Sequence, residues 1–198
     1  MLDQYQDMAM KTAVYPEIGS NPYYPSMGLA GEIAELIEKI EFLAQPQQPN
    51  LQGNLPPSKQ HLISDVSDEI GDVMWFVATA AREVGISFDT ICTPAVFEAK
   101  SSKDMFDVNM GVLHGRATRA ALIACELCGK SSKLMRDKTE VADFVREQYR
   151  VWLESISYHM WALAHGLRLD MSTILENNIK KLADRAERKQ LHGNGDKR

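Results

Sequence analysis

The sequence predicts an all-α protein, on three observations. Apolar residues recur at helical spacing along most of the 198 residues. Period-2 alternation and runs of β-branched residues are scarce. Prolines, glycines and capping residues cut the chain into pieces of helix length.

Met1 to Ala13 reads as a short amphipathic helix. Residues 14–27 (VYPEIGSNPYYPSM) read as a loop, because Pro16, Pro22 and Pro25 interrupt a helix. Gly28 to Ala44 is the second helix. Leu29, Ile33, Leu36, Ile37, Ile40 and Leu43 form its apolar stripe. Residues 45–58 (QPQQPNLQGNLPPS) have the composition of an exposed linker.

Ser58 is placed to cap a third helix from Lys59 to Val84, with Gly85 at its C′ position. Residues 97–110 read as irregular. Helix resumes over 112–129. Another helix spans 140–165, with Phe144, Tyr149, Trp152, Ile156 and Trp161 as core candidates, and Gly166 ends it. A last helix starts at Asp170 or Ser172, runs to about 190, and gives way to the tail HGNGDKR.

A weak internal repeat links DVMWFVATAAREVGISFDTI to YHMWALAHGLRLDMSTI, across a gap. On one reading the pair 28–85 is duplicated as 111–166, with the acids of the first copy absent from the second. On the other, two buried helices simply share Trp, Ala and Gly.

Composition narrows the function classes. A net charge of −5 disfavours non-specific nucleic-acid binding. Residues 180–198 form a local basic end, with seven Lys/Arg against three Asp/Glu. Three cysteines make no disulfide framework and suit a reducing compartment. No signal peptide and no run of about 18 apolar residues is present. The expectation is a cytoplasmic protein without a membrane partner.

The most informative residues are acids. Glu32-x-x-Glu35 lies on the second helix and Glu69-x-x-Asp72 on the third. Spacing of i,i+3 lets each pair converge on one ion. On the third helix Asp65, Glu69, Asp72 and Phe76 share a face, while Ile63, Val66, Ile70, Val77, Ala81 and Val84 form a separate apolar face. An acid-rich face is ordinarily just solvated. Two such pairs on consecutive helices, with Gly31 and Gly71 leaving room beside them, favour a bound divalent cation. All-oxygen ligation of that kind points to Mg²⁺ and to phosphate chemistry.

Other motifs carry less. Cys125-x-x-Cys128 has no second CxxC to complete a zinc site. His114, His159 and His165 are scattered, and no Glu-x-x-His or P-loop occurs.

The stretches GLAGEIAELIEKI and DEIGDVMWFVATAAREVGI resemble the MazG-like all-α nucleoside triphosphate pyrophosphohydrolases, whose signature is E-x-x-E, a spacer, then E-x-x-D. The C-terminal NIKKLADR and HGNGDKR are similar to the Asn-x-x-Lys-Leu helix and Gly/Asp/Arg tail that close such proteins. The resemblance covers about residues 1–91 and 170–198. It departs in a long spacer and in some 80 residues before the last helix. Those residues could make the chain a pseudo-dimer like the related dimeric dUTPases.

The resemblance implies a four-helix-bundle-type fold in a single domain over 1–198. Its parts would be an acid-bearing pair (28–91), an inserted helical pair (111–166) and a C-terminal helix and tail (170–198). It implies Mg²⁺-dependent hydrolysis of an NTP or dNTP to the monophosphate and pyrophosphate, in nucleotide-pool sanitation or adjustment. Mn²⁺ could substitute. Glu32, Glu35, Glu69 and Asp72 would hold the metal, with Glu35 or Glu69 positioning the attacking water. Lys39, Asn178, Lys181 and Arg185 would contact the substrate, and Trp75 and Phe76 either stack on a base or pack. A homodimer or higher homo-oligomer is expected, with Tyr5, Met8 and Thr12 as candidate dimer contacts. The competing reading is a non-catalytic nucleotide-binding regulatory protein on the same scaffold.

Overall fold

The computed structural model describes residues 2–45, 58–92 and 109–189. The expected linker, the irregular segment and the tail (Gly193 to Arg198) lie mostly or wholly outside them. The helices are α1 (Leu2–Lys11), α2 (Tyr23–Ala44), α3 (Lys59–Glu83), α4 (Met110–Asp137), α5 (Asp143–Gly166) and α6 (Met171–Glu187). Among the described residues between α3 and α4 lies a 3-10 turn, Phe88–Thr90. No strand occurs among the described residues. Nor is any helix among them long and apolar enough to cross a membrane.

The helix boundaries follow local chemistry. Ser58 caps α3 by accepting from His61 N at 3.1 Å. Asp170 caps α6 by accepting from Thr173 N at 2.8 Å. α3 ends where Gly85 turns left-handed (φ 73°), and Ile86 N reaches back to Ala81 O at 2.8 Å. α5 ends in the same way: Arg168 takes φ 59°, and Leu169 N bonds Ala164 O at 2.8 Å. Gly166 is the last residue of that helix rather than its left-handed cap.

Three expectations are corrected. α2 starts at Tyr23, so Pro25 does not break it. Pro25 sits in the first turn, where a backbone N–H has no helical acceptor to lose. Tyr24 N in that turn is satisfied by Asn21 Oδ1 at 3.2 Å. α4 runs past Gly129 to Asp137, because Ser131 and Leu134 are buried beyond it. Phe144 is not core: it is 70% exposed, its ring lying under Lys130 Nζ at 5.0 Å. Its neighbour Val145 is buried instead.

α2 packs against α3 and α4, and α5 against the same two, which closes a ring of four helices. Leu29, Ile33, Leu36 and Ile40 of α2 meet Val66, Ile70, Val73 and Val77 of α3 in its interior. Tyr149 and Ile156 of α5 are fully buried, while Trp152 and Trp161 pack partly buried at its edge. α1 and α6 lie against α3 and against each other. α3 therefore buries nearly all its surface in its second half, and Ala78, Ala80 and Ala81 are fully covered. Small side chains there let helices approach from several sides.

The connection between α1 and α2 is organised by a buried acid. Glu83 accepts from Tyr15 Oη at 2.7 Å, Gly19 N at 2.9 Å and Asn21 N at 2.7 Å. A buried carboxylate is tolerated when donors satisfy its lone pairs. Glu83→Ala would strand three donors. It is expected to cost about 3 kcal/mol, read as a lower urea midpoint at unchanged m-value.

Candidate metal centre

α2 and α3 run antiparallel, as two contacts show. Gly28 lies against Phe76, and Lys39 lies against Glu69. A Cβ at Gly28 would overlap the Phe76 ring as it stands, so the bare glycine gives that ring its place between the helices. Glu32 and Glu35 are one turn apart on α2 between these contacts, and Glu69 faces them from α3. One oxygen from each of the three lies within 4.8 Å of the others. Glu69 is buried, Glu32 half-buried and Glu35 exposed, so the group grades from the interior to the surface.

Asp72 is one turn beyond Glu69 and faces α6. Its Oδ1 accepts from Asn178 Nδ2 at 2.7 Å. Its Oδ2 accepts from Lys181 Nζ at 2.6 Å. Asp65, on the same α3 face, lies 3.9 Å from His61 instead.

Gly71 does not leave open room beside the acids. A Cβ there would come within 3.0 Å of Asn178 Cβ, so the missing side chain is what admits α6. Gly31 does face open space, with nothing within 4 Å of such a Cβ.

The cationic candidates divide. Lys39 Nζ lies 3.8 Å from Glu69 Oε1 and is 37% exposed. Lys181 is half-buried against Asp72. These two flank the carboxylates. Asn178 is buried behind Asp72, and Arg185 is buried one turn beyond Lys181 on α6.

The negative charges act on one another. Burial, then Asp72, Glu35 and Glu69, push the Glu32 carboxyl up to about 8, against a smaller opposing pull from Lys181. At neutral pH the isolated group therefore favours a proton or another cation at Glu32. Three carboxylate oxygens suit a hard divalent ion, and these residues could hold one.

Several residues expected elsewhere are used here. Tyr5 and Thr12 are not surface contacts for a second subunit: both are buried. Tyr5 Oη donates to Asn178 Oδ1 at 3.1 Å. Thr12 Oγ1 accepts from Trp75 Nε1 at 3.0 Å, so Trp75 is engaged in packing. Met8 is exposed. Phe76 meets Trp75 edge-on at 4.8 Å and lies near Tyr24 at 6.4 Å. Cys128 Sγ donates to Ser26 O at 3.0 Å, which ties α4 to α2, while Cys125 is exposed. His114 pairs with Glu41 at 3.1 Å. Burial and the charges of Arg116 and Arg119 lower His159 to about 4.

The chain is similar to the gene 37 protein of Mycobacterium phage L5, with 29% identity over 119 residues, 58% of this chain and 94% of that protein. No family model matches the chain. No solved structure matches it.

Proposed function

We propose that the chain is a MazG-like nucleoside triphosphate pyrophosphohydrolase, which cleaves an NTP or dNTP to the monophosphate and pyrophosphate. The observation that carries the reading is the convergence of Glu32, Glu35 and Glu69 from two antiparallel helices, with Lys39 and Lys181 on either side. The ring of four helices is consistent with the bundle implied by the sequence resemblance.

Glu32, Glu35 and Glu69 would hold Mg²⁺, or Mn²⁺ in its place, and Asp72 would complete the acidic set. Such an ion, when bound, neutralises phosphate charge and lowers the pKa of a coordinated water. Lys39 and Lys181 donate to phosphate oxygens and stabilise the charge that builds on the leaving pyrophosphate. Glu35, the exposed carboxylate of the three, accepts the proton of the attacking water. Glu69 is the second candidate for that role. The water oxygen forms a bond to phosphorus as the P–O bond between the α- and β-phosphates breaks.

Asn178 acts from behind Asp72 in this scheme. Arg185 adds positive charge on α6. A homodimer remains part of the reading, through surfaces other than Tyr5 and Thr12. The role is adjustment or cleaning of a nucleotide pool, with neither nucleic acid nor membrane as partner.

The test is pyrophosphate release from a panel of canonical and modified NTPs and dNTPs with Mg²⁺ or Mn²⁺, and with EDTA as control. Metal-dependent release with monophosphate as co-product is expected. Folded protein that releases none would overturn the reading. Nucleotide-induced thermal stabilisation without turnover would replace it with the non-catalytic nucleotide-binding one.

A further inference from the structure

We infer that α1 belongs to the candidate metal centre, with Tyr5 as a positioning residue that holds the Asn178 amide in the orientation that donates to Asp72. The inference rests on reading the carboxylate cluster as a metal centre.

α1 is pinned by contacts of its own. Gln6 Nε2 donates to Ala78 O at 2.9 Å and to Ile86 O at 3.0 Å. Gln6 Oε1 accepts from Phe88 N at 3.3 Å. The Tyr5 ring stacks on Phe88 with centroids 5.5 Å apart. These contacts set the place of the Tyr5 hydroxyl from outside the cluster. Tyr5 and Asn178 are each only 4% exposed, so water does not substitute readily for either partner.

An Asn amide has a donor end and an acceptor end. In the observed orientation Oδ1 receives the Tyr5 hydroxyl and Nδ2 donates to Asp72 Oδ1. Rotated by half a turn, Oδ1 would face the Asp72 carboxylate, and two acceptors would oppose each other. The Tyr5 hydroxyl favours the first orientation by giving Oδ1 a donor. Lys181 holds the other Asp72 oxygen. Asp72, which stands outside the group of three but near enough for its charge to act on Glu32, is thereby held toward α6. Outer partners of this kind orient ligating carboxylates, and their loss typically costs about 10- to 100-fold in metal affinity or activity.

The experiment is a double-mutant cycle on full-length protein, with Mn²⁺ affinity read by EPR of the free ion and thermal unfolding as a check on folding. Y5F keeps the ring and its stacking and removes only the hydroxyl. Its Mn²⁺ affinity is expected to fall about 10-fold. N178A should lose a similar amount, and Y5F/N178A no more than N178A alone. Unchanged affinity in Y5F, with wild-type protein binding Mn²⁺ normally, overturns the inference and leaves the metal centre standing. Additive losses overturn it too, because Tyr5 would then act through packing. Wild-type protein that binds no Mn²⁺ overturns both. Mn²⁺ binding with a non-additive cycle but no NTP turnover upholds the inference and removes only the hydrolase reading.

Discussion

Glu69→Gln is expected to reduce metal-dependent pyrophosphate release by about 10³-fold or more, roughly 4 kcal/mol of transition-state stabilisation. Glu69 is the buried member of the three converging acids, its side chain only 4% exposed. It faces both Glu32 and Glu35 across the α2–α3 contact and is the one α3 acid in that group of three. The same substitution is expected to leave the metal-free protein as stable as wild type, or more so. It removes a buried negative charge from a group that already holds Glu32, Glu35 and Asp72. Lys39 lies 3.8 Å from Glu69 Oε1 and is itself 37% exposed, so solvent screens its share of the pairing. Thermal unfolding in EDTA, set beside turnover in Mg²⁺, separates the two effects. Full turnover in folded E69Q would end the hydrolase reading. A large fall in the EDTA melting temperature would mark Glu69 as a structural ion-pair partner of Lys39.

That opposition between activity and stability explains which parts were legible in the sequence. The apolar stripe of α2 and the apolar face of α3 are periodic, and helical period reads directly as a buried face. Glu32, Glu35 and Glu69 stand out because, with Asp72, they form two acid pairs at i,i+3 spacing on consecutive helices. Their convergence depends on how two helices pack, and a strong hint lay in Gly28, whose missing side chain admits Phe76.

Other features depend on contacts far apart in sequence, which no periodicity reports. Tyr5 reaches Asn178 across 173 positions, and Glu83 gathers the backbone of Gly19 and Asn21 across more than 60. A weaker signal was present for Asn178. It falls on the stripe of Met171, Ile174 and Leu175, and a polar residue on an apolar stripe is buried with a partner. Pro25 misled because proline breaks helix interiors but suits a first turn, and the start of α2 is set by Asn21 and the Glu83-held loop rather than by α2 itself. Phe144 misled because aromatic residues near a helix start can lie over a neighbouring cation rather than inside.

The metal-free protein is expected to lose stability as pH rises from about 5 to above 8, opposite to the usual behaviour of a paired carboxylate. The sign follows from Glu32, raised from an ordinary 4.5 to about 8 by burial and then by Asp72, Glu35 and Glu69. Between those two values the folded chain keeps the Glu32 proton and the unfolded chain has released it. The native state binds more protons, so the free energy of unfolding falls with pH. Below about 4.5 the contribution is complete, and it is lost as pH rises through about 8. A divalent cation does the work of the proton, so Mg²⁺ should flatten the slope and raise the melting temperature most at the alkaline end. Glu32→Gln keeps the shape of the protonated acid and cannot ionise, so its melting temperature in EDTA should not show this decline. Melting curves in EDTA and in Mg²⁺, from pH 5 to 9, for wild type and E32Q decide the matter. A wild-type profile in EDTA that rises with pH, or matches E32Q throughout, would mean that Glu32 is ionised in the folded chain without a metal. The carboxylates would then be solvated apart, and their convergence would carry no cation.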